Sequence, residues 1–176
     1  PGYGGSCFPK DTLALVKTAE MHGRNVSIVD AVIEFNQNRK NKMADRVIAA
    51  IGGSVADVSI AILGLAFKPE TDDMRDSPSL DIISALTAMG AKLRVYDPKA
   101  MEEARPLLPY GVKFCDSAIE CLKDAGAAVV VTEWNEFRAL TPAKFATEMT
   151  GNVLVDLRNI YAVSYTHLRA HETFTD

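Results

Sequence analysis

The sequence predicts an α/β protein in which a long linking helix is followed by a doubly wound, mostly parallel sheet. From Ser54 onward, short apolar stretches alternate with capped helical stretches, and the links between them are short. Before that point, residues 27–51 repeat apolar side chains at helical spacing and end at Gly52-Gly53. Such a long helix is expected to bridge domains or to pack against a partner subunit.

The expected elements follow one another in a regular order. A Gly-rich loop at 1–9 is followed by a predicted helix at 10–22 and by the long helix. The pairs Ser77-Pro78 and Thr141-Pro142 have the form of an N-cap before a first-turn proline. The predicted strands lie at 58–65, 93–96, 112–114, 127–131 and 153–155, and the predicted helices at 78–90, 99–105, 117–124 and 142–149.

Composition and charge restrict the class of function. The 176 residues are 48% hydrophobic and 24% charged, with a net charge of −4, as in an ordinary globular protein. Neither nucleic acid nor an anionic membrane is an expected partner. No apolar run reaches the roughly 20 residues of a membrane span. Three widely spaced cysteines disfavour a disulfide framework and a zinc site, and they indicate a reducing cytoplasm.

The first segment that carries chemistry is PGYGGSCFPKD at 1–11. Its glycines allow the backbone to approach a ligand closely. Cys7 is expected just before a helix N-terminus and near Lys10, and both features favour the thiolate. The pattern therefore predicts a nucleophile, whereas a small apolar side chain packed in a turn is the alternative.

A second polar segment follows the first predicted strand at its carboxyl end, where ligands of open α/β sheets bind. Lys68 in this segment is placed to meet a diphosphate, although the loop lacks the GxGxxG pattern of a dinucleotide site. Asp72 and Asp73 are interpreted as turn and capping residues that pair with Arg75. Asp97 lies where a ribose-binding acid would be, but capping of the following helix explains it better.

Together these segments resemble signatures of the UDP-glucose/GDP-mannose dehydrogenase family. The first resembles G-x-G-G-S-C-F-x-K-D around the family's catalytic cysteine, and GLAFKP at 64–69 resembles part of its nucleotide-sugar signature. Asp156-Leu157-Arg158-Asn159 resembles its closing motif. The resemblance implies a cysteine loop with a central, dimerising helical segment at 1–53 and a Rossmann-like UDP-binding domain at 54–161. It also implies that the NAD-binding N-terminal domain is absent.

The resemblance further implies that a nucleotide sugar is oxidised at C6 to an aldehyde and then to a carboxylate, with reduction of two NAD. Cys7 would be the nucleophile, passing through a thiohemiacetal and a thioester, and Asp11 would order or activate water. The implied substrate contacts are Tyr3, Gly4, Phe8, Phe67, Lys68 and Arg158, and the implied NAD contacts are Lys10 and Arg75.

Several of these residues have a plainer explanation. Asp11 suits the first turn of a helix, where an acidic side chain complements the dipole. Lys10 suits a solvated surface, and Tyr3 and Phe8 suit simple packing. Glu133-Trp134 resembles a structural turn of the family at the carboxyl edge of the sheet.

The wording of the first motif favours UDP-glucose as substrate, with UDP-N-acetylmannosamine and GDP-mannose as alternatives. The chain alone is expected to be inactive, since the family's general-base lysine would lie upstream; it would then act as a nucleotide-sugar-binding module. A homodimer through the 27–51 helix is also expected. The tail at 162–176 lacks the preceding pattern and is interpreted as non-native, and a metal site at His167 and His171 is disfavoured.

Overall fold

The structure is a computed structural model that describes residues 1–162, which form two helices followed by a five-stranded parallel sheet with its connecting helices. The tail from residue 163, with His167 and His171, lies outside the described residues. The strands are β1 Ser59–Leu63, β2 Lys92–Tyr96, β3 Lys113–Phe114, β4 Ala127–Val130 and β5 Val153–Asp156. The helices are α1 Cys7–Met21, α2 Ser27–Ile51, α3 Pro78–Ala88, α4 Met101–Ala104, α5 Ala118–Leu122, α6 Asn135–Arg138 and α7 Pro142–Glu148.

The sheet has the order β3-β2-β1-β4-β5, and every strand pair is parallel. Alternate residues of β1 enter two different core clusters, Ile60 and Ile62 in one and Ala61 and Leu63 in the other. Both faces are therefore covered, and the doubly wound arrangement is confirmed. The order of strands reverses between β1 and β4, and the crevice at the carboxyl ends of these strands is the usual ligand position of such a sheet.

Helix α2 matches its predicted bounds and ends at Gly52, whose φ of 109° lies in the left-handed region. Its carboxyl half is part of the core, since Met43, Ala44 and Val47 are 0–3% exposed. Its amino half presents apolar side chains outward: Ile28 is 81% exposed and Phe35 67%. The predicted apolar stripe is therefore divided into a buried half and an exposed half.

Two local predictions were wrong. Helix α1 begins at Cys7, so residues 7–9 belong to the helix and not to the preceding loop. Pro9 does not prevent this, because the first turn of a helix has no intrahelical partners for its N–H groups. Helix α6 was not predicted, and its four residues are too few to show a helical period. Among the described residues, no helix is both long and apolar enough to cross a membrane.

Candidate active site

Cys7 is the first residue of α1, and its side chain is exposed. Its sulfur lies 3.6 Å from Ser6 Oγ. Asp11 follows one turn later on the same face of the helix. The carboxylate of Asp11 pairs with Lys10 Nζ at 3.6 Å, and both side chains are at least 70% exposed. An accessible thiol, a carboxylate and a cation therefore share the outer surface of the first turns of α1.

The cysteine loop is docked onto the segment that follows β1. The N–H of Gly5 donates a 2.7 Å hydrogen bond to the carbonyl oxygen of Arg75. Gly5 has a φ of +90°, and a Cβ there would lie 2.7 Å from the ring of Phe67. A Cβ on Gly4 would lie 2.3 Å from the carbonyl oxygen of Asp76. Gly4 was expected to make room for a sugar nucleotide, but the close approach that the structure shows is to the chain's own backbone.

Arg75 is held in a fixed orientation by Asp73. Its Nε and Nη2 donate to the two carboxylate oxygens at 2.9 Å each, and its backbone N–H also donates to Asp73 Oδ1. These bonds hold the pKa of Asp73 below its usual value, and the same side-chain bond raises the pKa of Arg75. A smaller contribution to the raised pKa of Arg75 comes from Cys7. The predicted pairing of Arg75 is confirmed with Asp73.

Lys68 and Phe67 form the outer part of the loop after β1. Lys68 is exposed, and its ammonium lies 5.4 Å from the centroid of the Phe67 ring. The same ring contacts Gly5, so it stands between the ammonium and the cysteine loop. The aromatic face and the exposed cation together suit an anionic ligand that carries a flat or apolar group.

The side chain of Arg158 links two segments at the carboxyl edge of the sheet. Its Nε donates to the carbonyl oxygen of Val131 at 2.8 Å, and its Nη2 donates to that of Phe67 at 3.0 Å. Glu133 pairs with Nε at 3.0 Å, while burial of the guanidinium lowers the pKa of Arg158. These bonds use two of the five N–H groups of the guanidinium. Arg158 therefore ties the Phe67 segment to the end of β4.

Asp97 has a structural role. Its side chain is buried, and Oδ2 accepts hydrogen bonds from the backbone N–H groups of Leu65 and Ala66 and from Trp134 Nε1. Oδ1 accepts from the N–H groups at positions 99 and 100. A carboxylate with five internal donors has no free oxygen for a ribose hydroxyl. The structural interpretation is therefore confirmed for Trp134, and Asp97 is structural as well. The predicted capping was wrong in detail, because Asp97 binds the N–H groups of the turn before α4, whose N-cap is Ala100.

The aromatic side chains of the cysteine loop pack on each other. The rings of Tyr3 and Phe8 meet edge to face at 4.7 Å between centroids. The backbone of Tyr3 is in turn bound on both sides by the side-chain amide of Asn36. Sequence reasoning missed Asn36 and also Lys40, which is 4% exposed. The sequence did contain a signal for Lys40. It lies three positions before Met43 and four before Ala44, so it is a charged residue on the apolar face of α2.

Two family profiles match the chain. Residues 61–163 match the UDP binding domain of the UDP-glucose/GDP-mannose dehydrogenase family, and residues 1–38 match the central domain of the same family. The first match alone covers more than half of the chain.

Individual relatives agree with these matches. A UDP-glucose 6-dehydrogenase of Rhizobium meliloti is 52% identical over 92% of the chain and 37% of its own length. The UDP-glucose 6-dehydrogenase TuaD of Bacillus subtilis is 38% identical over 92% of the chain and 35% of its own length. The chain thus spans little more than a third of these relatives.

Solved structures give a matching fold. A UDP-glucose dehydrogenase from Pyrobaculum islandicum superposes with a TM-score of 0.76 at 34% identity, covering 88% of this chain and 34% of that one. A UDP-D-ManNAc dehydrogenase from Pyrococcus horikoshii superposes with a TM-score of 0.77 at 26% identity, covering 92% of this chain and 36% of that one.

Proposed function

Since the chain belongs to the UDP-glucose/GDP-mannose dehydrogenase family, we propose that it supplies the cysteine and the UDP-sugar site of an NAD-dependent UDP-glucose 6-dehydrogenase. The observation that carries this proposal is the docking of the Cys7 loop, through Gly5 and Arg75, onto residues 64–77 between β1 and α3, here called the nucleotide-side segment. The proposed nucleophile and the cations that would bind an anionic ligand then lie on one surface. The 52% identity to a UDP-glucose 6-dehydrogenase favours UDP-glucose over UDP-N-acetylmannosamine or GDP-mannose.

The proposed nucleotide-sugar contacts lie at the carboxyl edge of the sheet. Lys68 presents an exposed ammonium, which suits a diphosphate. Arg158 has N–H groups beyond the two that bind carbonyl oxygens, and these are proposed to reach the same ligand. Phe67, Tyr3, Gly4 and Phe8 are proposed to border the sugar. Phe67 contacts both Lys68 and the cysteine loop at Gly4, and the rings of Tyr3 and Phe8 pack on each other in the sequence around Cys7.

Cys7 is proposed to carry the second oxidation. Its thiolate adds to the carbonyl carbon of the C6 aldehyde, forming a C–S bond while the carbonyl oxygen gains a proton. Loss of a hydride and of that proton leaves a thioester, and water then breaks the C–S bond to release the carboxylate and the thiol. Asp11 is on the same helical face, one turn away, and is proposed to orient this water.

NAD, when bound, would supply the hydride acceptor for both oxidations. The chain's own contribution would be two cations, Lys10 and Arg75, whose side chains are at least 70% exposed. Lys10 follows Cys7 by three residues, and the backbone of Arg75 binds the loop that precedes Cys7. Exposed cations suit the diphosphate of a dinucleotide that approaches from outside this sheet. The three cysteines are free, which fits the reducing cytoplasm that we also propose as the location.

The exposed half of α2 is proposed to form a homodimer contact. Ile28, Val32 and Phe35 are 40–81% exposed, and they line a groove of about 490 Å³ together with Gly2 and Tyr3. An apolar helix face of this kind is stabilised when a partner covers it. Sedimentation velocity on the chain and on Phe35→Glu tests this, because the substitution should shift the population toward the monomer. A wild-type chain that stays monomeric at high concentration would contradict the dimer.

Titration calorimetry of the chain with UDP-glucose tests the main proposal. We expect binding that Lys68→Gln weakens about tenfold, as loss of one charged phosphate contact implies. Lys17→Gln is the matched control, since Lys17 pairs with Glu20 on the surface of α1. Competition among the three nucleotide sugars ranks the substrates. A chain that binds none of them would contradict the proposed function.

The alternative function is a nucleotide-sugar-binding module without turnover. The matched UDP binding domain favours it for the chain alone. Absorbance at 340 nm tests this alternative, since NADH formation by the chain with UDP-glucose and NAD would refute a binding module. We expect no NADH from the chain alone.

A further inference from the structure

We propose that Asn36 and Lys40, one turn apart on α2, are positioning residues that hold the Cys7 loop in register with the nucleotide-side segment. This inference rests on the proposed function, since the relative position of the two segments matters for function only if both contact one substrate. Neither side chain belongs to the thiol surface or to the exposed cations, and each binds backbone. Their role would therefore be to act through Cys7 and Lys68.

Asn36 holds the backbone immediately before the cysteine motif. The N–H of Tyr3 donates to Asn36 Oδ1 at 2.8 Å, and Asn36 Nδ2 donates to the carbonyl oxygen of Tyr3 at 3.1 Å. This planar, two-sided contact defines both the position and the orientation of the peptide. Gly2 leaves space for it, because a Cβ at that position would lie 2.9 Å from Asn36 Oδ1.

Lys40 binds the segment on which the cysteine loop docks. Its side chain is 5% exposed, and Nζ donates a 2.8 Å hydrogen bond to the carbonyl oxygen of Asp76 and lies 3.9 Å from Asp81 Oδ2. A buried ammonium is retained only when it is paired in this way. Asp76 has a φ of 51°, which is unfavourable for a residue with a side chain. The contact therefore stabilises a strained turn.

The two contacts converge on the same junction. The carbonyl oxygen of Asp76, which accepts from Lys40, is also the atom on which Gly4 packs. The next residue, Gly5, bonds to Arg75, which precedes Asp76. One turn of α2, about 6 Å long, thus binds both sides of the junction. Loss of either contact would leave Cys7 at the start of α1, but its distance from Lys68 would no longer be fixed.

Amide hydrogen exchange on the chain tests this inference directly. We expect Asn36→Ala to speed exchange of the Tyr3 N–H at least tenfold, because its acceptor is lost. Exchange at Gly5 should rise as well, because its bond to Arg75 depends on the position of the loop. Lys40→Met should do the same at Gly5 and Ser77, whose N–H groups donate to Arg75 and Met74 on either side of the Asp76 turn. Lys40→Arg should restore protection by keeping a buried donor. The controls Asn38→Ala and Lys42→Met alter exposed positions of the same helix and should change neither segment.

The location of the faster exchange distinguishes a positioning role from a general contribution to the stability of the fold. Faster exchange confined to the junction supports the proposal, whereas a uniform rise over β1 and β4, or no rise, overturns it.

A second measurement follows alkylation of Cys7 by iodoacetamide with and without UDP-glucose. Asn36→Ala should keep the affinity for UDP-glucose within twofold but lose most of the protection of Cys7. Full protection in the variant overturns the inference. If the wild-type chain does not bind UDP-glucose, the proposed function fails, and the exchange data still decide the positioning roles.

Discussion

The N–H of Gly5 and the carbonyl oxygen of Arg75 are joined by a 2.7 Å hydrogen bond. The bond connects the loop before α1 to the segment after β1, which are far apart in the sequence. It joins the loop next to the exposed thiol of Cys7 to Arg75, whose guanidinium Asp73 holds in place.

Iodoacetamide should label Cys7 first among the cysteines. Cys7 is exposed, whereas Cys115 and Cys121 are 0–1% exposed. A hydrogen bond from Cys121 lowers the pKa of Cys115 to about 7, which favours its thiolate, but burial dominates because the reagent must reach the sulfur. Mass spectrometry should show at least tenfold faster labelling of Cys7. Cys7→Ser should abolish the fast phase, and a fast phase that persists would contradict the assignment.

Gly4→Ala should lower the free energy of unfolding by about 1–3 kcal/mol, as overpacking against a fixed group does. The new Cβ would meet the Asp76 carbonyl oxygen at 2.3 Å, and this backbone atom is held by Lys40. Urea unfolding measures the effect. Gly23→Ala is the control for backbone strain alone, because its φ is +63° and no atom lies within 4 Å. Wild-type stability in Gly4→Ala would show that the junction is loose.

Asp97→Asn should destabilise the sheet by about 3 kcal/mol, since an amide NH₂ would face donors that now bind a carboxylate oxygen. Leu65, Ala66 and Trp134 all donate to Oδ2. The loss should appear in chemical denaturation together with a change in Trp134 fluorescence. Asp72→Asn, at an exposed position, is the matched control and should leave both unchanged.

Arg75→Gln should raise the pKa of Asp73 toward its usual value, because the side-chain bond from Arg75 is the main cause of the depression. The stabilisation from a depressed carboxyl pKa is present above the unfolded-state pKa and is lost as pH falls through the folded-state pKa. The variant should therefore begin acid unfolding at a higher pH. Carboxyl carbon NMR measures the pKa, and circular dichroism follows the unfolding. Arg105→Gln, whose partner is Glu102, should leave the titration of Asp73 unchanged.

Much of the fold was predictable because its signals are local. The unbroken apolar run of β4, the Pro78 start of α3 and the Gly52 end of α2 each follow from neighbouring residues. The start of α1 was misplaced, because glycines before Cys7 and Pro9 after it also indicate a loop. The site residues were named mainly from the resemblance, and their roles in binding and catalysis remain predictions.

By itself, the sequence determined the parallel sheet and the order of all elements but α6, because periodicity and capping depend on residues close in the chain. It also marked the segments that we predict to act on a substrate. Only the tertiary structure decided which of those segments meet. Gly4 needs its small size for the Asp76 carbonyl, and Lys40 is buried where a surface lysine would be expected. Such contacts join residues that are distant in sequence, so their geometry exists only after α2 and the sheet have packed together.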